Sequence, residues 1–256
     1  MAKFAVILAA AGRSSRFRTS SPPGSQSPRE KKTFRELKGR AVWLRAAEVF
    51  QGRDDVEQTL LVLAPEDMEW FRAKFQPNLA FLKLDLVAGG EQRADSVQNA
   101  LDQVNGNIDF VAVHDAARPL ITASWVNDVF AAAQRSGAAL PAIPIASTLK
   151  RVESGVIEET VPRAGLFAAQ TPQVFARELL VDAFANRGDF QPTDEAQLVE
   201  QTGHPITIVP GSPLNLKITT QDDLKMAEVL LKLLPRDNTL DTIDPGTNNP
   251  LQQLLD

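Results

Sequence analysis

Short apolar runs of strand length, separated by segments with helical spacing, constrain this chain more than any single residue does. Ala5–Ala10, Thr59–Leu63, Leu82–Leu86, Phe110–Val113, Ala138–Ile143 and Ile206–Val209 read as strands. Several are continuously apolar, as strands covered on both faces are. Helical spacing fills the intervals near 41–51, 66–75, 93–104, 122–136, 177–186, 194–201 and 220–234. Thr122 and Thr220 stand where N-caps belong, and Gly137 and Gly203 where helices stop. Thr220 with Asp223 resembles a capping box, with Asp in place of the usual Glu. Such alternation specifies an α/β chain, a mostly parallel sheet flanked by helices, in which ligands bind at the carboxyl ends of the strands.

At 256 residues, 43% of them hydrophobic, the chain can bury a sizeable core. We read residues 1–234 as a single domain and 235–256 as a loose tail. A net charge of −5 argues against a general nucleic-acid binder. The absence of cysteine excludes disulfides and thiol nucleophiles, and two histidines cannot make a usual zinc site. The first apolar stretch runs straight into Gly12-Arg13, unlike a secretory signal, and no stretch is long enough to span a bilayer. The expectation is a cytoplasmic protein with neither a membrane nor a nucleic-acid partner.

Two segments break the alternation. Residues 19–28 are a low-complexity run of Ser, Pro and Gly, expected to be mobile without a ligand. Residues 147–170 read as a hairpin arm, Thr148–Val152 and Val156–Val161 around a turn at Glu153-Ser-Gly155. A two-stranded ribbon is marginal alone, which calls for a docking partner.

The chemistry-bearing segments follow the strands. After residues 4–10 come Ala11-Gly12 and a basic loop, with nine Lys or Arg between Arg13 and Arg40 against Glu30 and Glu36. A strand, a small-residue turn and a flexible basic loop suggest a polyphosphate grip; a strand followed by a merely solvated loop is the competing reading. Gly89-Gly90 frees the backbone to bond a flat ligand edge, and Ser96 can add a hydroxyl. Arg93 falls in the first turn of a helix, where it opposes the helix dipole. In Val113-His-Asp-Ala-Ala-Arg-Pro119, Asp115 and Arg118 emerge at the sheet's carboxyl end. Asp115 can meet a ribose hydroxyl or a magnesium-bound phosphate, or it can simply brace the loop with Arg118. His114 reads as packed beside the strand, His204 as a turn residue and Thr193 as an N-cap. Lys217, in an apolar strand-like segment, needs a partner that an anionic ligand would supply. The chain lacks the P-loop, dinucleotide and nucleophile-elbow fingerprints.

In this order the segments resemble the 2-C-methyl-D-erythritol 4-phosphate cytidylyltransferase family. The matching pieces are Leu8-Ala-Ala-Ala-Gly12 with Arg16 and Lys32, Gly89-Gly90…Arg93-Ala-Asp-Ser96, and His114-Asp-Ala-Ala-Arg-Pro119. Thr148-Leu-Lys-Arg151, Val161-Pro-Arg163, Gln170-Thr-Pro-Gln173, Thr193-Asp-Glu-Ala196 and Asn215-Leu-Lys217 extend the match. The resemblance implies a Rossmann-like nucleotidyltransferase fold and transfer of CMP from CTP to a sugar-alcohol phosphate, with Mg²⁺ bridging the phosphates. It implies that Arg16 and Lys32 stabilise the transferring phosphorus and the departing pyrophosphate, that Ala10, Ala11, Gly90 and Ser96 select cytosine, and that Gly12 and Gly89 also belong to the nucleotide site. Asp115 and Ala116 would hold the ribose. Arg118, Thr148, Arg163, Thr171, Thr193 and Lys217 would hold the second substrate. It further implies a homodimer joined through the 147–170 arm, with Arg163 acting in the neighbouring subunit's site.

The chain departs from the family pattern in places. Fifteen residues separate Arg16 from Lys32, a longer spacer than usual, and Lys31 beside Lys32 leaves the choice of catalytic lysine open. Thr33-Phe34, Glu91 and Ser14 are also departures. The alternatives are a cytidylyltransferase for another polyol phosphate such as ribitol 5-phosphate, which shares the CTP motifs, and a non-catalytic nucleotide-binding relative. Retention of both Arg16 and Lys32 speaks against the second.

Overall fold

Residues along the first strand, β1 (Phe4–Ala9), alternate between two apolar layers, as the two-residue period of a strand requires. Phe4, Val6 and Leu8 pack with Trp43, Phe71 and Phe130 on one face, and Ala5 and Ile7 with Val97, Val111 and Phe175 on the other. A strand buried on both sides explains the unbroken apolar run. This computed structural model describes residues 1–19 and 31–235. The expectations for the Ser/Pro/Gly run at 20–28 and for the tail at 236–256 lie outside the described residues.

From β1 the chain continues through α1 (Ser15–Thr19), β2 (Glu36–Leu37), β3 (Arg40–Ala41), α2 (Val42–Glu48), β4 (Val56–Leu63), α3 (Met68–Leu82) and β5 (Asp85–Ala88). Then come α4 (Arg93–Leu101), β6 (Phe110–Asp115), α5 (Ala123–Ser136), β7 (Ala138–Pro144), β8 (Leu149–Glu153) and β9 (Val156–Val161). It ends with β10 (Phe167–Ala169), β11 (Gln173–Ala176), α6 (Arg177–Ala185), α7 (Glu195–Gln201), β12 (Thr207–Pro210) and α8 (Gln221–Leu230). Among the described residues, one sheet runs β10–β7–β11–β6–β1–β4–β5, with β12 paired to β7. The β1–β4, β1–β6, β4–β5 and β7–β12 pairs are parallel, and β10 and β11 pair antiparallel. Strands β1, β4, β5 and β6 therefore deliver their carboxyl ends to one edge. A third apolar cluster joins Phe17 of α1 to Leu37, Leu120, Ile218 and Leu224, seating the start of the basic loop against α8.

The expected caps form. The Thr122 hydroxyl accepts from the Trp125 amide, Gly137 is left-handed with φ 83°, and Thr220 and Asp223 complete the reciprocal box. The expected helix start at Thr193 is displaced by one residue: Asp194 caps α7 by accepting from the Gln197 amide. The run Leu82–Leu86 divides, because α3 continues through Leu82 and the strand begins at Asp85. Pro77 lies inside that helix, and the loss of its amide donor accompanies non-helical geometry at Phe75, where the 66–75 reading stops. Helices expected over 41–51, 93–104 and 220–234 end earlier, at Glu48, Leu101 and Leu230.

The arm is shorter than 147–170. Only β8 and β9 form the separate ribbon, whereas 167–169 are β10 of the main sheet, paired with 142–144. The ribbon's apolar side chains stay outside the core, with Val152 54%, Val156 68% and Ile157 59% exposed.

Candidate active site

A cavity of about 470 Å³ opens at the carboxyl edge of the sheet. Its walls are residues 9–14 after β1, 64–66 after β4, 90–93 and Ser96 after β5, Asp115 and Ala117 at the end of β6, and Lys32, Thr33 and Lys217. Of the residues singled out in the sequence, Ala10, Ala11, Gly12, Lys32, Gly90, Ser96, Asp115 and Lys217 converge here.

Two glycines let the floor close. A Cβ at Gly89 would sit 2.8 Å from the Ala11 Cβ and from the Ser96 Oγ, and one at Gly90 would sit 2.5 Å from the Asp95 Cβ. The Gly89 amide donates to the Leu63 carbonyl at 2.7 Å. The Ser96 hydroxyl accepts from the Gly90 amide at 3.1 Å and donates to the Gln92 carbonyl at 3.0 Å. Ser96 thus shapes the glycine loop, of which Gly90, Glu91 and Gln92 line the cavity.

Asp115 is the centre of charge. Its carboxylate is 2.8 Å from the Lys217 Nζ, 3.3 Å from the Arg118 Nε and 3.9 Å from an Arg93 nitrogen. Burial works against its ionisation, but Lys217, Arg93 and Arg118 outweigh it and hold the carboxyl well below the usual carboxylate range. Lys217 is therefore not waiting for a partner, and it is neither in a strand nor fully buried, since 39% of its side chain is exposed. The Arg118 guanidinium also donates to the Asn215 carbonyl at 2.8 Å, so bracing is part of what it does. Arg93 makes a two-pronged pair with Glu195, at 2.5 and 2.9 Å, which offsets its unfavourable place at a helix start. Glu195 is not visible as a site residue in the sequence. Its only signal there is a carboxylate at the start of an apolar helical pattern, and its partner lies 102 residues away.

Behind Asp115 the wiring is neutral. The Thr171 hydroxyl accepts from the Asp115 amide at 3.0 Å and lies 3.0 Å from the His114 Nδ1. The His114 Nε2 lies 3.2 Å from the Arg118 carbonyl, which can only accept, so Nε2 carries the proton and Thr171 donates to Nδ1. Burial pushes His114 down to about 4, in keeping with that neutral tautomer.

Lys32 stands opposite, half-buried, with its amide 3.4 Å from the Ser14 Oγ. Burial first, then Lys217 and Arg16, lower its pKa to about 8, against the opposing pull of Asp115 and Asp223. Arg16 on α1 is thus close enough for its charge to bear on Lys32. Lys31 is turned away and paired with Asp67, so of the two neighbouring lysines it is Lys32 that faces the cavity.

The remaining residues lie apart. Ala116 is buried behind the wall, its amide on the Ala9 carbonyl at 3.2 Å. Thr193 is exposed beside α7, where its backbone amide and hydroxyl both reach Gln197. Thr148 and Arg163 are exposed at the root of the arm, Arg163 bonding the Ala146 carbonyl. No cluster of three or more His, Asp or Glu suited to a metal occurs among the described residues. Asp115, the one acid suggested for a metal, has its oxygens engaged by cations and does not fit a resident ion.

The buried histidine gives a direct check. Between pH 6.5 and about 4 an unfolded chain protonates this side chain while the folded one does not. Stability should fall on acidification across that window by up to roughly 3 kcal/mol. Urea unfolding at pH 7 and 4.5 should show a steeper loss in the unaltered protein than in His114→Gln; equal losses would mean that the histidine is not held neutral.

The sequence model of the family described as 2-C-methyl-D-erythritol 4-phosphate cytidylyltransferase matches residues 4–233. A protein of that name from Rhodopirellula baltica is 41% identical over 241 residues, covering 90% of this chain and 95% of the relative. Another from Acidobacterium capsulatum is 39% identical over 234 residues, covering 89% and 96%. A crystal structure of 4-diphosphocytidyl-2C-methyl-D-erythritol synthase superposes with a TM-score of 0.74 at 31% identity, over 90% of this chain and 99% of the other. The 2-C-methyl-D-erythritol 4-phosphate cytidylyltransferase of Thermus thermophilus gives a TM-score of 0.70 at 30% identity, over 91% and 100%. With the match spanning the sheet, the glycine loop and the Asp115 edge together, this chain belongs to the 2-C-methyl-D-erythritol 4-phosphate cytidylyltransferase family.

Proposed function

We propose that this protein transfers the cytidylyl group of CTP to 2-C-methyl-D-erythritol 4-phosphate. The products are 4-diphosphocytidyl-2-C-methyl-D-erythritol and pyrophosphate, in isoprenoid precursor biosynthesis by the non-mevalonate route. A phosphate oxygen of the acceptor attacks the α-phosphorus, the bond from that phosphorus to the bridging oxygen breaks, and pyrophosphate leaves with the electron pair. No side-chain nucleophile is needed, so catalysis is positioning and neutralisation of charge. The observation that carries the reading is the convergence of Lys32 and Lys217 on the cavity beside the glycine loop, where burial first, and then repulsion from Lys217 and Arg16, lower the pKa of Lys32 to about 8. Such repulsion is relieved by a polyanion.

In this reading Arg16 and Lys32 stabilise the transferring phosphorus and the departing pyrophosphate. The backbone of Ala10, Ala11, Gly12 and Gly90, shaped by Gly89 and Ser96, takes the cytosine, and Asp115, backed by the buried Ala116, the ribose. Mg²⁺ enters with the nucleotide as part of the substrate. Arg118, Thr193 and Lys217 serve the acceptor phosphate side, with Thr171 supporting them from behind Asp115. Thr148 and Arg163, remote from the cavity of their own chain, are assigned to the acceptor site of a second copy. The arm's exposed Val152, Val156 and Ile157 favour that copy as a docking partner, in a two-fold dimer. The reaction is placed in the cytoplasm.

Pyrophosphate release from CTP and Mg²⁺ tests the reading. Release should require methylerythritol 4-phosphate. Preference for ribitol 5-phosphate would keep the chemistry and replace the acceptor, and no release with either would overturn catalysis. The shared site has its own test, because Arg16→Ala and Arg163→Ala should each be impaired, while their mixture recovers roughly a quarter of normal activity through hybrid dimers with one intact site. No recovery after verified subunit exchange would contradict the trans assignment.

A further inference from the structure

Two adjacent lysines have opposite environments. The Lys31 side chain is 5% exposed, and its ammonium sits 2.5 Å from the Asp67 Oδ2, whose own side chain is 8% exposed. The approach lies off the hydrogen-bond directions and is an ionic contact. Glu66 Oε1 lies 3.5 Å away on the exposed side. Asp67 belongs to the short 3-10 turn Pro65–Asp67 that follows β4, on the same edge of the sheet as the cavity. Lys31 is the residue from which the 3-10 turn Lys32–Phe34 springs, and its carbonyl accepts from the Phe34 amide at 2.9 Å. Phe34 is buried with its ring 5.2 Å from Trp70 and 5.5 Å from Phe71. The turn carrying Lys32 is therefore fixed on both sides, by an ion pair before it and by an aromatic cluster after it.

A pair this buried gives up hydration for two charges, and an apolar pair of similar size would serve stability as well. What an apolar pair would not supply is a fixed direction. With Lys31 drawn to Asp67, the next side chain is turned the other way, toward the cavity. We infer that the Lys31–Asp67 ion pair is a positioning clamp that presents Lys32 to the phosphates of the nucleotide.

This rests on the phosphate-binding reading of Lys32, and the two can fail separately. Held in place, the Lys32 ammonium lies within the electrostatic reach of Lys217, Asp115 of β6, Arg16 of α1 and Asp223 of α8. Arg13, Glu66, Glu91 and Arg93 line the same cavity. Released, it would turn to solvent and escape both the burial and the repulsion that lower its ionisation to about 8.

The test follows the ionisation of Lys32 by pH-dependent acetylation of its amine, read by peptide mass spectrometry, in the full-length protein. Lys31→Met and the near-isosteric Asp67→Asn should each shift that ionisation upward, by about a unit or more toward the ordinary lysine value. Lys31→Arg should keep it low. In parallel, kcat should fall about tenfold or more in the two neutralised variants, with a smaller change in KM for CTP. An unmoved Lys32 ionisation in folded Asp67→Asn would overturn the clamp, even if turnover fell, because that pattern marks a merely structural pair. Should Lys31→Met fail to fold, Asp67→Asn decides alone. An unaltered protein without turnover would count against the proposed reaction and leave the acetylation result to judge the clamp.

Discussion

The buried carboxylate of Asp115 is the interaction on which the rest of the site depends. It ends a central strand, β6, where burial would ordinarily drive a carboxyl to its neutral form. Three cations from three places in the chain prevent this: Arg93 from α4, Arg118 from the turn after β6, and Lys217 from the loop before α8. A buried charge left without partners is costly, so the carboxylate enforces the approach of those segments. The same knot sets the field of the cavity. Two carboxylates, Asp115 and Glu195, set against Arg93, Arg118 and Lys217 leave one positive charge over, and Lys32 adds to it.

Support for that carboxylate extends into the core without further charge. Thr171 holds the Asp115 amide and the His114 ring, and the ring holds the Arg118 carbonyl. The Asn215 side-chain amide donates to the Thr171 carbonyl at 3.0 Å, and the Gln170 side-chain amide to the Ser212 carbonyl at 2.8 Å, so the loop carrying Lys217 is tied to the segment between β10 and β11. On the other flank Glu195 fixes Arg93, joining the glycine loop side of the cavity to the start of α7. Positions on opposite walls are thereby set with respect to one another, as a reaction depending on alignment requires.

What is legible in the sequence is whatever is local. Continuous apolar runs mark β1, β4, β6 and β7, because a strand buried on both faces has no polar period to hide it. Thr122, Gly137 and Thr220 mark helix ends through chemistry confined to a few residues. The strand β11 escapes a sequence reading, since four residues pairing antiparallel with β6 and β7 leave no distinctive period. Residues 167–169 read as part of the arm because nothing in Phe167-Ala-Ala records that their partner is Ala142–Pro144. In the site, the cavity-lining small residues and Asp115 are visible. The ion pairs Arg93–Glu195 and Lys31–Asp67 are not, because pairing across long separations carries no local pattern.

The central claim is that a surplus of positive charge is held at the cavity until a polyphosphate neutralises it. The most direct measurement is an NMR titration of the Lys32 side chain in the unaltered protein, alone and with saturating CTP. The expected result is ionisation near 8 in the free protein and a clear upward shift with the nucleotide, since the triphosphate replaces repulsion with attraction. An ordinary lysine value in the free protein, or one that CTP leaves unmoved, would contradict it.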